Sequence, residues 1–210
     1  MQFILPVIPQ KKKWLIVAAG YIVFCLLYTL TGNFHLTTPT QLAPSVIDEK
    51  TPFLAWTVWI YNSQFFFLAF NIYLMREPRN LSRTLYAMAS VSLFSFCIFA
   101  IYPTSLPRDF ATGDGLTATA FQSLYAIDSS ANCFPSLHVA LAWIAAIAVL
   151  NERKSFGFVV CFWAMLITLS TMTTKQHYFI DVIAGLVLAA LFTVLLARIE
   201  LTATASPKPG

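Results

Sequence analysis

Tyr178–Ala197 reads YFIDVIAGLVLAALFTVLLA and holds a single charge, Asp181. A helix needs about 20 consecutive apolar residues to cross the hydrocarbon of a bilayer, and this run has that length. Five more apolar runs lie upstream of it: Trp14–Leu30, Phe53–Met75, Arg83–Tyr102, Pro135–Leu150 and Ser155–Met172. Each is close to the length of a span, and the Pro135–Leu150 helix has to begin at or before Pro135 to cross. In hydrocarbon, backbone N–H and C=O groups must pair internally, which leaves helices or a closed barrel. Barrel strands alternate apolar and polar residues, and runs such as Phe65-Phe66-Phe67-Leu68 do not. The expected fold is therefore all-α: a polytopic membrane protein built as a six-transmembrane-helix bundle. One domain is expected over residues 1–201, with a disordered tail at 202–210.

Composition agrees with a bilayer as solvent. Of the 210 residues, 58% are hydrophobic and 10% charged, against about 25% charged in a soluble domain. The net charge of +4 is spread over short segments between apolar runs. Nucleic acid binding, which needs a clustered basic face, is not expected. Cys25, Cys97 and Cys161 lie in apolar runs and only Cys133 in a loop, so no disulfide pairing is implied. The run after Lys11-Lys12-Lys13 is too long for a signal-peptide core and reads as a retained first span.

Lysine and arginine set the expected orientation. With the N-terminus in the cytoplasm, that side receives Lys11, Lys12, Lys13, Arg76, Arg79, Arg83, Arg153, Lys154, Arg198 and Lys208, and the other side Lys50, Arg108 and Lys175. Ten against three is a positive-inside bias. Both termini are expected in the cytoplasm. The segments Thr31–Pro52, Pro103–Phe134 and Thr173–His177 face outward, and long polar loops of this kind tend to carry function.

Three motifs in those outer segments point to chemistry. In Asn132-Cys133-Phe134-Pro135-Ser136-Leu137-His138, proline suits the first helical position. That puts Ser136, Leu137 and His138 in a first turn whose free amides suit an anion such as phosphate. In Thr173–Asp181, His177 and Asp181 stand four apart, which places them on one helical face. A carboxylate on one ring nitrogen fixes the tautomer and frees the other nitrogen as base or nucleophile. Asp181 inside an apolar run is itself a functional signal, and Gly185 one turn later suits close helix packing. At the end of the third run, Arg108 offers a planar fork for phosphate oxygens. The lysine and arginine count puts all three motifs at one membrane surface. By contrast, Asp48-Glu49-Lys50 reads as a solvated turn, His35 as a solvated loop residue, and Trp56 and Trp59 as lipid-facing or packing residues.

These residues resemble the type 2 phosphatidic acid phosphatase superfamily. Its signatures run Lys-x6-Arg-Pro, then Pro-Ser-Gly-His, then Ser-Arg-x5-His-x3-Asp. The second reads Pro135-Ser136-Leu137-His138 here, with Leu for Gly. The third reads Ser170-Thr171-x5-His177-x3-Asp181, with Thr for Arg. The first has Ile101 in the place of Lys and lacks the proline after Arg108. Phe-Pro-Ser-Leu-His with His-Tyr-x2-Asp looks more like the branch containing inositol phosphorylceramide synthases. The resemblance implies that His177 attacks phosphorus to form a phosphohistidine and that Asp181 orients His177. It also implies that His138 protonates the leaving alkoxide and then activates water or an acceptor alcohol. Ser136 and Arg108 would hold the phosphoryl oxygens. Apart from the family pattern, the position of Lys175 two residues before His177 makes it our own candidate to replace the missing arginine.

The function expected is that of an integral, multi-pass membrane lipid phosphatase. It would act on a phospholipid or isoprenoid phosphate at the periplasmic, extracytoplasmic or lumenal face, without metal or other cofactor. The alternatives are a headgroup (phosphoalcohol) transferase using the same residues, the apolar loop Phe110–Phe134 serving as a lid for either enzyme, and a non-catalytic transporter or scaffold. The last predicts broken helices or midplane charges, and the ionisable residues cluster at one surface instead.

Overall fold

Eight α-helices and four short strands form among residues 4–110 and 112–202, which the computed structural model describes. In chain order they are β1 (Ile4–Pro6), α1 (Lys13–Asn33), β2 (Thr40–Gln41), α2 (Val46–Lys50), α3 (Val58–Leu74), α4 (Pro78–Ile101), β3 (Thr104–Ser105), α5 (Gly115–Ile127), α6 (Leu137–Glu152), α7 (Lys154–Thr173), α8 (Phe179–Ala197) and β4 (Glu200–Thr202). The fold is all-α in its mass. Each of the six apolar runs yields one long helix.

Four helical segments are long and apolar enough to cross a membrane: Gln10–Asn33, Pro78–Ile101, Lys154–Thr173 and Phe179–Ala197. Helices α3 and α6 are shorter, with 17 and 16 residues. Two boundaries differ from the sequence reading. Helix α3 begins at Val58, not Phe53, because the Leu54 amide bonds the Thr173 carbonyl at 2.9 Å and holds that segment against the end of α7. Helix α4 begins at Pro78, upstream of Arg83, because the Glu77 carboxylate accepts from the Arg79 and Asn80 amides and Pro78 takes the first helical position.

Helix α6 is the hub. It packs against α3, α4, α7 and α8. Leu137, Val139, Ala140, Ala142, Ile144, Ala145, Ala146 and Val149 on it are all buried. Its alanines let neighbours approach closely, as membrane helices require. The outer surfaces are different. Leu15, Ile22, Leu26 and Leu30 on α1, Phe158 and Phe162 on α7, and Val187, Leu191 and Val194 on α8 are exposed. Apolar patches on this scale are incompatible with a water-facing monomer and fit hydrocarbon.

Two glycines set helix spacing. Arg153 alone joins α6 to α7, and a Cβ at Gly157 would meet Leu150 Cα at 2.3 Å. A Cβ at Gly185 would meet the Ser136 carbonyl oxygen at 2.6 Å and Val139 Cβ at 3.1 Å. Gly185 therefore lets α8 touch the start of α6, as the sequence suggested.

The two ends of the bundle are built differently. One gathers the basic turns: Lys13 Nζ donates to the Ile72, Tyr73 and Met75 carbonyls, and Glu152 accepts from the Arg76 and Glu77 amides. There β1 pairs in parallel with β4, joining the two chain ends. The strand runs to Thr202, so Thr202 is ordered sheet and not tail. Residues 203–210, Lys208 included, lie outside the described residues. At the opposite end β2 pairs with β3, Thr104 bridges to Asn132, and Thr104 Oγ1 accepts the Phe134 amide. These bonds stitch the long loops together above the starts of α6 and α8.

Candidate active site

His138, His177 and Asp181 converge at that stitched end. Helix α6 starts two residues later than proline placement suggested, at Leu137 rather than Pro135. Ser136 is its N-cap, accepting the Val139 amide at 3.4 Å, and only Leu137 and His138 stand in the first turn. The Leu137 and His138 amides have no helical carbonyl four residues before them and remain free for a ligand. Ser136 itself is fully buried.

His177 is not on a helix face with Asp181. Helix α8 begins at Phe179, and His177 lies in the turn before it. Lys175 takes the left-handed conformation, φ 56°, which reverses the chain after α7. The Gln176 and His177 amides then both bond the Thr171 carbonyl at 3.0 Å. The i,i+4 proximity survives this change of geometry: His177 Nδ1 lies 3.5 Å from Asp181 Oδ2. Asp181 Oδ2 also accepts the Tyr178 amide at 2.8 Å, which caps α8. Both side chains are buried, and Asp181 has no exposed surface. Asp181 Oδ1 and His177 Nδ1 lack a hydrogen-bond partner.

The two halves are locked by main chain. The Ser136 amide donates to the Asp181 carbonyl at 3.1 Å, at the contact that Gly185 permits. The His138 and His177 rings then stand with centroids 6.0 Å apart, inclined by 56°. Gln176 Oε1 and Tyr125 Oη are further buried polar atoms without a partner in this part of the chain.

The basic residues stand to either side. Arg108 donates from Nη1 to the Asp128 carbonyl at 2.7 Å, faces Asp128 Oδ2 at 3.6 Å, and lies over the Tyr125 ring. Lys175 Nζ donates to the Asp48 and Thr51 carbonyls at 2.8 and 2.5 Å. Its ammonium thus fastens the α2 loop to the turn that carries His177.

Asp48 corrects the sequence reading outright. It is buried, with 4% exposure, and is not part of a solvated turn. Its Oδ1 accepts the Phe179 amide at 2.7 Å, at the start of α8, and its Oδ2 accepts the Ser45 amide. A carboxylate there complements the positive end of the helix dipole. The Ser45-x-x-Asp48 capping-box spacing was the available signal, although it foretells only the local half of the contact.

Two further residues join the site. Tyr61 Oη on α3 lies 3.2 Å from His138 Nδ1 and 3.5 Å from Asp128 Oδ2. Gln64, one turn on, donates to the His138 carbonyl. The Tyr28 hydroxyl bonds Asp128 Oδ1. Burial pushes the Asp128 carboxyl above its ordinary value, against the pull of the Tyr28 hydroxyl and Arg108. Neither Tyr61 nor Asp128 belongs to a recognisable motif. Only the fold brings them to His138.

A sequence pattern shared across a family, that of the PAP2 superfamily, matches residues 26–195. The chain belongs to the PAP2 superfamily. The match spans α1's second half through α8 and so contains every residue of the site. No curated protein and no solved structure matches the chain. Membership and the four apolar helices make this PAP2 protein an integral membrane protein, and place it among phosphatase- and phosphotransferase-type enzymes of lipid phosphates.

Proposed function

We infer that this PAP2 protein is a lipid phosphate phosphatase that works through a phosphohistidine on His177. The observation that carries this reading is the pair of imidazoles, 6.0 Å apart between ring centroids, with a buried carboxylate behind one of them. Asp181 lies on the Nδ1 side of His177, so Nε2 is the nucleophile. As Nε2 bonds phosphorus, the phosphorus–oxygen bond to the lipid breaks and His138 gives its proton to the departing alkoxide. In the second half His138 takes a proton from water, the hydroxide displaces His177, and inorganic phosphate leaves. Both catalytic groups return to their starting protonation. The free first-turn amides of α6, the Ser136 hydroxyl and Arg108 hold the phosphoryl oxygens, with Lys175 at the rim. Fixed donors around developing negative charge supply most of the barrier lowering in such a site. No metal enters the scheme.

The bundle crosses the membrane six times in this reading, α3 and α6 being its shorter members. Its basic end and both termini lie in the cytoplasm, and the site opens at the extracytoplasmic or lumenal face. One observation favours headgroup transfer as a second reading. A polar cavity of about 460 Å³ adjoins the site, lined by Tyr28, Asn33, Arg108, Tyr125, Asp128 and Ser129 among others. An acceptor alcohol held there would replace water in the second step.

Purified protein offered a phosphatidic acid or an isoprenoid phosphate, with chelator present, tests both. Phosphate release is expected to fall by at least about a thousandfold in His177→Ala, as when a nucleophile is removed from a catalytic unit. Full activity in that variant would refute the phosphohistidine. Product formed only with an added acceptor lipid would favour transfer.

A further inference from the structure

His177 has a carboxylate beside it, while His138 has a phenol. Tyr61 is fully buried, and its ring lies against the His138 imidazole with centroids 4.3 Å apart. Its hydroxyl stands between His138 Nδ1 at 3.2 Å and Asp128 Oδ2 at 3.5 Å. Asp128 is held in turn by the Tyr28 hydroxyl and by Arg108, which grips both its carbonyl and its carboxylate. The order is therefore Arg108, Asp128, Tyr61, His138, running from the β3–α5 loop through the α5–α6 loop and across α3 to α6.

A phenol has one proton to donate and lone pairs to accept with. The Tyr61 hydroxyl donates to Asp128 Oδ2, which leaves the phenol oxygen to accept from His138 Nδ1–H. That fixes the His138 tautomer and leaves Nε2 as the nitrogen that gives and takes the proton. We propose that Tyr61 and Asp128 are positioning residues for His138, forming a phenol-linked carboxylate arm that holds its Nδ1 proton while Nε2 exchanges protons with the leaving alkoxide and with water.

This rests on the phosphatase reading and deepens it. The two histidines then have arms of different length. The direct contact of Asp181 suits a nucleophile that must acquire positive character on attack. The indirect contact through Tyr61 suits a group whose charge alternates between the two half-reactions, because a distant carboxylate favours the imidazolium less. No proton is consumed along the arm: Nδ1–H, the phenol O–H and the Asp128 carboxylate are the same before and after each turnover.

Tyr61→Phe removes one oxygen and keeps the ring stacked on His138. The variant is compared with wild type on an alkyl phosphate lipid and on p-nitrophenyl phosphate, whose leaving group departs without a proton. On the lipid, kcat is expected to fall at least about tenfold, part of the effect of a general acid, with KM within about twofold. On p-nitrophenyl phosphate, the first turnover is expected to keep the wild-type rate, followed by slow steady-state release as phosphohistidine accumulates. Equal losses on both esters, or none, would overturn the arm and leave Tyr61 a packing residue. Should Tyr61→Phe fold poorly, Asp128→Asn must give the same split between esters, and its absence overturns the proposal equally. Wild type inert toward both esters overturns the phosphatase reading and the arm with it.

Discussion

The basic end of the bundle is closed by helix passing almost directly into helix, whereas the opposite end is closed by long loops packed over buried polar groups. At the basic end α6 turns into α7 through Arg153, and Gly157 lies against Leu150. Its polar contacts, such as Lys13 on carbonyls and Glu152 on amides, are half-exposed caps. At the other end Asp48, Ser136, His177 and Asp181 are buried, and Asp48 reaches the Phe179 amide and Ser136 the Asp181 carbonyl across long stretches of chain. A buried polar group must be paired or it costs stability, and several here are not fully paired. Among the described residues, Asn71, Arg83 and Thr193 also carry unpaired buried atoms toward the basic end, but only at the looped end do such atoms belong to a facing histidine and carboxylate, His177 and Asp181.

Paired glycine variants are expected to separate the two ends by the largest margin. Gly185→Ala drives a Cβ to 2.6 Å from the Ser136 carbonyl, and Gly157→Ala drives one to 2.3 Å from Leu150 Cα. Each overpacking is expected to cost about 1–3 kcal/mol, read as lowered thermal midpoints in detergent. Their activities are expected to diverge. Gly185→Ala separates His138 from His177, and displacements near 1 Å cost up to about a hundredfold in rate. Gly157→Ala is expected to leave turnover per folded molecule at the wild-type value. Equal activity losses would mean that the two ends are not independent.

Asp48→Ala has a smaller expected effect. It removes the acceptor of the Phe179 amide, and loss of such a cap costs about 1–2 kcal/mol. A several-fold fall in kcat should accompany it, since Asp181 lies in the same first turn. Lys175→Met is the mildest. Its ammonium binds two loop carbonyls, each such bond being worth about 1 kcal/mol. KM for the phosphate lipid is expected to change by less than about threefold, the signature of a loop fastener. A tenfold rise in KM, about 1.4 kcal/mol, would instead assign Lys175 to the phosphate.

The positions of the long helices were legible in hydropathy alone, because each apolar run had to become helix. The pairing of His177 with Asp181 was legible from their spacing. What the spacing concealed was the helix start: a left-handed Lys175 and the Thr171 carbonyl put His177 before α8, not on it. Asp48 was misread because its decisive partner, the Phe179 amide, is 131 residues away. Tyr61 and Asp128 carry no motif, and their meeting at His138 depends on how α3 and the α5–α6 loop dock. Local spacing encodes caps and neighbours, while contacts between distant segments appear only once the bundle has formed.

The bonds that set the site's dimensions run from the Ser136 amide to the Asp181 carbonyl and from the His177 amide to the Thr171 carbonyl. Neither uses a side chain. The frame therefore survives exchange of the residues that form it, and two departures from the superfamily signatures fall where this latitude exists: Leu137, next to the first bond, and Thr171, within the second. Inheritance acts on side chains, so a lineage with such a scaffold is free to alter what surrounds the phosphate while keeping the distance between its two histidines.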